Sequence, residues 1–241
     1  MMRLDRWLAT LGIGSRAQVQ KLVRAGAVKV DGVPARDAGM QCNPDTQQLT
    51  VNGAAVDGRL MRHVMLHKPA GLLTAARDKK QPTVMDLLPE VYSAIGCMPV
   101  GRLDKDTTGL LLLTTDGEMN HRLLAPGRHV DKTYRATVDG ELNTAHIAAM
   151  AAGMHIREDG KEPAFDAAPA QLVIESPHVG LLTIHEGKFH QVKRMFRALG
   201  LEVTQLHRLT FGSLALGDLP EGAWRELTEA EAAQLHADAG L

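Results

Sequence analysis

The stretch GRLDKDTTGLLLLTTDG, residues 101–117, joins a polar loop to a short, wholly apolar run. Leu110 to Leu113 carries no polar residue, the mark of a buried strand, and Thr114-Thr115-Asp116-Gly117 closes it as a turn. The loop before it, Gly101 to Leu110, holds two carboxylates (Asp104, Asp106), two basic residues (Arg102, Lys105) and two glycines that let backbone approach a ligand. Residue types and spacing leave its purpose open. Such a loop suits phosphate, Mg²⁺, catalysis or a plain turn.

Outward from it, strand signals alternate with amphipathic helices. Val64-Met65-Leu66 leads into Lys68-Pro69-Ala70-Gly71, whose proline and glycine force a turn. Tyr134-Arg135-Ala136-Thr137-Val138 alternates before Asp139-Gly140, and Leu181 to Ile184 is a further strand. Residues 189–199 change period: Val192, Met195, Phe196 and Leu199 form one helical face, Lys193, Arg194 and Arg197 point away from it, and Gly200 is the stop. The acidic, alanine-rich residues 226–241 read as a short helix with a loose tail. The expected fold class is α+β, with a mixed sheet flanked by helices.

The N-terminal segment reads differently. Leu4, Trp7, Leu8 and Leu11 recur at helical spacing, Gly12 and Gly14 stop that helix, and Ser15 with Gln18 makes a capping box for a second one ending at Gly26. Val28-Lys29-Val30 is a strand with Asp31-Gly32 as its hairpin turn, and Leu49-Thr50-Val51 precedes the turn Asn52-Gly53. Two helices thus precede a small sheet. Arg16, Gln20, Lys21 and Arg24 fall largely off the apolar face of the second helix. A linker near Val56-Asp57-Gly58-Arg59 divides the chain into residues 1–59 and 60–241.

With 241 residues, 44% hydrophobic and 23% charged, the chain is expected to be globular with a substantial core. It shows no run of the roughly 18 apolar residues a membrane span needs, and its start lacks the basic-then-apolar order of a secretion signal. The expected location is the cytoplasm, with Cys42 and Cys97 as reduced thiols. A net charge of -1 hides an uneven distribution. Residues 1–59 hold eight Lys/Arg against five Asp/Glu, and residues 218–241 hold one Arg against six acids. A basic small module on a near-neutral body is compatible with RNA binding.

Two resemblances sharpen this reading. The RLDRWLA start, the GIGSR turn and the AGAVKVDG run resemble the S4-type RNA-binding module over about residues 2–50. The resemblance implies that Arg3, Ser15, Arg16, Lys21 and Arg24 lie toward RNA backbone, giving affinity and orientation with little sequence choice. GRLDKDTTGLLLLTTDG resembles the signature of the RsuA-type pseudouridine synthases, as do, in order, HKPAG (67–71), KTY (132–134) and EGKFHQVKRMF (186–196). The HQVKRMF form and the closing GAWRELTEAE are more similar to the small-subunit enzymes than to their large-subunit relatives. One departure is His67, where the family usually carries Asn.

The family resemblance implies a pseudouridine synthase domain with a mixed, mainly antiparallel sheet, acting on a specific uridine of 16S rRNA (uridine-516 type). The reaction breaks the bond from ribose C1′ to uracil N1, turns the base and rejoins C1′ to C5. It calls for no redox cofactor, metal or energy source. It needs an ionised carboxylate to attack the sugar or take a sugar proton, and the resemblance assigns this to Asp104. Lys193 matches the basic partner that keeps the carboxylate charged, and Tyr134 the aromatic face on which the extruded uracil stacks. Arg102 is expected to contact the flipped nucleotide or its phosphate, the alternative being a salt bridge to Asp106; Lys68 and Arg194 complete the expected RNA contacts. The expected partner is 16S rRNA within an assembly intermediate, met by a monomer. Two other readings stay open: a 23S rRNA enzyme of the same family, and a non-catalytic rRNA-binding assembly factor. Competing sites fail on spacing. Gly187-Lys188 has Phe189 where a phosphate loop needs Ser or Thr, and His63 and His67 sit in a strand-like segment with no third metal ligand nearby.

Overall fold

The computed structural model describes residues 1–160 and 162–241. The chain forms two compact units. One comprises Met1–Arg62 with Leu88–Met98 and Thr114–Asp116, the other His63–Leu87, Pro99–Leu113 and Gly117–Leu241.

In the first unit, α1 (Leu4–Thr10) buries Leu4, Trp7 and Leu8, and α2 (Arg16–Arg24) buries Val19 and Val23. The capping box is formed in full: Ser15 Oγ accepts from the Gln18 backbone N–H, and Gln18 Oε1 accepts from that of Ser15 at 2.7 Å. Four short strands follow, β1 (Val28–Val30), β2 (Val33–Pro34), β3 (Leu49–Val51) and β4 (Ala54–Val56), in the order β2-β1-β3-β4. Both expected hairpin turns have two successive left-handed residues, Asp31-Gly32 (φ 50° and 78°) and Asn52-Gly53 (φ 52° and 81°). That geometry matches the strand twist and explains the Asp-Gly and Asn-Gly pairs. The stretch read as a linker is instead packed. The Trp7 indole N–H donates to the Gly58 carbonyl at 2.7 Å, and a Cβ at Gly58 would lie 2.5 Å from the Trp7 ring. Val91 and Ile95, far along the chain, pack against the same core.

The second unit is built on a nine-stranded sheet. Its main path uses β5 (His63–Lys68), β6 (Thr108–Thr114), β7 (Lys132–Val138), β8 (Gln171–Ser176), β9 (Val179–Ile184), β10 (Val203–Phe211) and β11 (Trp224–Glu226), in the order β8-β9-β7-β10-β6-β5-β11. Pairing is antiparallel between β8 and β9, β9 and β7, β7 and β10, and β5 and β11, and parallel between β10 and β6. The sheet is therefore mixed and mainly antiparallel. Leu110 to Leu113 are all fully buried, as a strand covered on both faces requires. Helices α3 (Gly117–Leu124), α4 (Thr144–Ala152), α5 (Gln191–Ala198) and α6 (Glu229–Ala239) accompany it.

The chain end departs from expectation. α6 buries Leu235 and Ala239 completely in the cluster containing Met65, Leu112 and Phe211, and Trp224–Glu226 is an edge strand on β5. Two apolar side chains suffice to dock a helix whose remaining surface is acidic. Cys42 and Cys97 are buried, reduced thiols. Among the described residues no helix is long and apolar enough to cross a membrane.

Candidate active site

Strand order brings the polar loop and Tyr134 together. β10 lies between β7 and β6; Tyr134 on β7 and Gly109 on β6 both stand opposite Arg208. Gly109 has φ 104°, and a Cβ there would come within 2.3 Å of the Arg208 carbonyl oxygen. Glycine is thus required where the loop enters the sheet. The Arg208 side chain, 2% exposed, donates from Nε to the Leu110 carbonyl at 2.7 Å and reaches the Tyr134 hydroxyl at 3.4 Å.

The loop is fixed from behind by main-chain contacts. Thr74 Oγ1 donates to the Leu103 carbonyl at 2.8 Å and accepts from the Leu103 N–H at 3.2 Å, while the Thr107 N–H donates to the Asp104 carbonyl at 3.1 Å. Lys68, fully buried, donates to the carbonyls of Pro69 (3.0 Å), Lys105 (3.2 Å) and Thr107 (3.0 Å). Burial pulls its ammonium down to about 8, against the opposing pull of Asp106 and Asp104. The expectation of an RNA contact at Lys68 is corrected here: no part of the side chain is open to a ligand, and its three N–H groups are taken.

Asp104 projects from this frame into a pocket also lined by Arg102, Tyr134, Ile184, His190 and Leu206. Lys193 Nζ from α5 lies 3.2 Å from Asp104 Oδ2 and 2.6 Å from Asp106 Oδ1. Partial burial would lower the Lys193 ammonium, but the hydrogen bond to Asp106 and the charge of Asp104 outweigh it and raise it above the usual lysine value. Burial likewise pushes the Asp106 carboxyl up, yet the Lys193 bond holds it below its ordinary range. Asp104, which lines the pocket, thus shares one fixed cation with Asp106. Tyr134, 8% exposed, lines the same pocket together with Ile184 and Leu206, an aromatic ring and two aliphatic side chains of the kind that suit the face of a heterocyclic base. Arg102 is exposed at the rim, and the alternative pairing with Asp106 is not made, since that carboxylate holds Lys193.

Two further residues, His190 and Glu162, join the site beyond those expected from the sequence. His190, in the left-handed conformation at the start of α5, puts Nε2 3.5 Å from Asp104 Oδ1 and Nδ1 2.8 Å from Glu162 Oε1. Glu162 in turn lies 3.5 Å from Arg194 Nε. Arg194, 3% exposed, donates to the carbonyls of Arg157 (2.8 Å) and Pro163 (2.9 Å), so its expected role as an RNA contact is also corrected. Arg157 and Pro163 thus take up a side chain of α5 that its charge pattern assigns to solvent. His190 could have been singled out from the quoted EGKFHQVKRMF; Glu162 carries no local signal. His67 shares Nδ1 with the Leu219 carbonyl at 2.7 Å and meets the His207 ring edge-on, a packing role.

In the first unit, Lys21 and Arg24 are exposed on α2. Arg3 and Arg16 are half exposed, and both pair with Asp5, a buried carboxylate that Arg3 foremost, with Arg16, holds well below the usual range. Ser15 spends its hydroxyl oxygen on the helix cap.

Comparison with known proteins gives a consistent picture. Residues 62–198 match the family model described as RNA pseudouridylate synthase, and residues 2–47 match the S4 domain. The RNA pseudouridine synthase YtzG of Bacillus subtilis is 45% identical over 235 residues, covering 95% of this chain and 96% of that one. Ribosomal small subunit pseudouridine synthase A of Pseudomonas aeruginosa is 41% identical over 95% of this chain and 98% of its own. Ribosomal large subunit pseudouridine synthase B of Bacillus subtilis is 37% identical, over 98% and 96%. A crystal structure of a pseudouridylate synthase, 34% identical, superposes with a TM-score of 0.67 over 98% of this chain and all of that one.

Proposed function

The chain belongs to the RNA pseudouridylate synthase family, with an S4 domain at its N-terminus, and from that premise we propose that it isomerises one uridine of 16S rRNA, of the uridine-516 type, with Asp104 as the catalytic carboxylate. The observation that supports the role of Asp104 is that its carboxylate lies 3.2 Å from the Lys193 ammonium and lines the same pocket as Tyr134. A uracil stacked on Tyr134 would bring its ribose C1′ within reach of Asp104, and Arg102 at the rim would take a phosphate or the displaced neighbour. Either attack on C1′ or removal of a sugar proton ends with Asp104 returned as a free carboxylate, because formation of the C1′–C5 bond completes the exchange. Residues 60–241 carry this chemistry and residues 1–59 supply the backbone grip, with Lys21 and Arg24 as its exposed cations. The protein acts as a cytoplasmic monomer on an assembly intermediate and uses no cofactor.

Assignment to the small subunit rests on the HQVKRMF and GAWRELTEAE segments. Mapping pseudouridines in total rRNA from cells with and without the protein tests it. Loss of one 16S pseudouridine is the expected result. Loss of a 23S position instead would move the target to the large subunit, and an unchanged map would remove rRNA as the substrate.

A further inference from the structure

We propose that His190 and Glu162 form a relay through which the C5 proton of the substrate uracil leaves Asp104 for solvent. The inference rests on the reaction assigned above and adds two residues to it. Once C1′ is joined to C5, that carbon carries both ribose and hydrogen, and the ring holds an N1=C6 double bond. Loss of the C5 proton lets the C–H pair form C5=C6 and returns the N1=C6 pair to N1, which takes a proton from water. The proton lost from C5 goes to the freed Asp104 carboxylate. Asp104 must then discard it before another turnover.

Of the two side chains that pair with Asp104 among the described residues, one can accept the proton. Its Oδ2 faces Lys193, a cation with no lone pair to offer, while Oδ1 faces His190 Nε2 at 3.5 Å. An ionised Glu162 only accepts hydrogen bonds, so His190 Nδ1, 2.8 Å from Glu162 Oε1, carries the donated N–H. In the neutral ring this leaves a lone pair on Nε2, directed at Asp104. A carboxylate and a lone pair at 3.5 Å gain nothing from each other, whereas a protonated Asp104 has an O–H to give. Proton transfer then creates an imidazolium between two carboxylates, and the partly exposed ring can release the proton to water. Glu162 thus orients and charge-balances His190 as an aspartate does for the histidine of a serine-hydrolase triad.

The ring is held for this task. Phe189 stacks on it with centroids 3.9 Å apart and 25° between planes, and Arg194, bonded to two carbonyls, backs Glu162. The backbone of His190 is left-handed (φ 51°, ψ 26°), a region that non-glycine residues other than Asn, Asp and His seldom occupy.

The test uses the full chain and rRNA transcripts whose uridines bear hydrogen or deuterium at C5. His190→Asn keeps the left-handed backbone and removes the acceptor. It is expected to lower kcat about 100-fold, the scale of general acid–base catalysis, with RNA Kd unchanged. The deuterium effect on kcat should become larger than in the wild-type enzyme, because the deuteron that Asp104 takes from C5 then leaves the carboxyl in the limiting step. Glu162→Gln, which leaves ring and backbone in place, should move both readouts the same way by a smaller factor, and it carries the test alone if His190→Asn does not fold. A rate loss with an unchanged isotope effect would make His190 a mere prop for Asp104 and overturn the relay, as would undiminished rates. Absence of pseudouridine from the wild-type reaction would instead refute the assigned reaction.

Discussion

At the scale of single residues, substitutions can separate RNA binding from the proposed chemistry. Asp104→Asn keeps the shape of the side chain and removes the anion, so it should abolish measurable turnover while leaving rRNA affinity within about threefold, a loss confined to the transition state. Lys193→Met leaves Asp104 and Asp106 facing each other without their shared cation, and should lower kcat by about 100-fold, comparable to losing one preorganised electrostatic partner. Single-turnover rates beside filter-binding affinities would check both. A Lys193→Met enzyme with wild-type kcat would reduce that lysine to a tether for the loop. Motif by motif, the sequence already points to Asp104, Lys193 and Tyr134, because each sits in a distinct segment of known resemblance. It does not point to Glu162: an isolated glutamate in an irregular stretch gains meaning only when α5 is laid beside it. Lys68 and Arg194 mislead for the opposite reason. Cations next to functional motifs suggest ligand contact, yet here their hydrogen bonds go to main-chain carbonyls, and no pattern in the sequence distinguishes the two uses.

At the scale of elements, helix ends and tight turns are the most legible features, because the side chains that make them are local: Ser15 with Gln18, Asp31-Gly32, Asn52-Gly53. The C-terminal segment shows the limit of composition. Its acidity and alanine content argue for a loose tail, but Thr228 caps α6 through the Glu231 N–H, and Glu231 receives both guanidinium branches of Arg225, at 2.7 and 2.6 Å. The Arg225 bonds foremost bring the Glu231 carboxyl down to about 2 from an ordinary 4.5. A folded value below the unfolded one means stabilisation that is complete above pH 4.5 and drains away as pH falls toward 2. Glu231→Gln should therefore cost about 1 kcal/mol at pH 7, allowing for solvent screening of a partly exposed pair. The difference from wild type should shrink through that acid window. Urea midpoints at pH 7 and pH 3 would measure it; a gap that stays constant would assign the effect to packing rather than charge.

For the whole molecule, the boundary near residue 59 is cleaner in sequence than in space. Leu88–Met98 belongs to the same compact unit as the N-terminal helices, and Val91 and Ile95 pack on their core. This could not be foreseen, since nothing in a segment read alone tells which distant core it joins. Deleting residues 1–59 is expected to do two things. It should weaken rRNA binding, with a shallower dependence on salt because exposed cations such as Lys21 and Arg24 are gone. It should also bare Val91 and Ile95, so that limited proteolysis cuts between residues 88 and 98 in the truncated chain and spares that segment in the intact one. Equal salt slopes for the two chains would show the S4 domain to be idle in RNA binding.

The buried Lys68 has one more consequence, for which changes this protein tolerates. Its three bonds end on carbonyl oxygens, which every amino acid supplies, so the brace it forms does not depend on which side chains stand at its anchor points. Lys105 shows this most clearly: its own side chain is exposed and donates to Gln81, while its carbonyl serves both Lys68 and the Gly71 N–H. Position 105, next door to Asp104, is accordingly open to drift and to engineering, whereas position 68, hidden from every ligand, is closed to both.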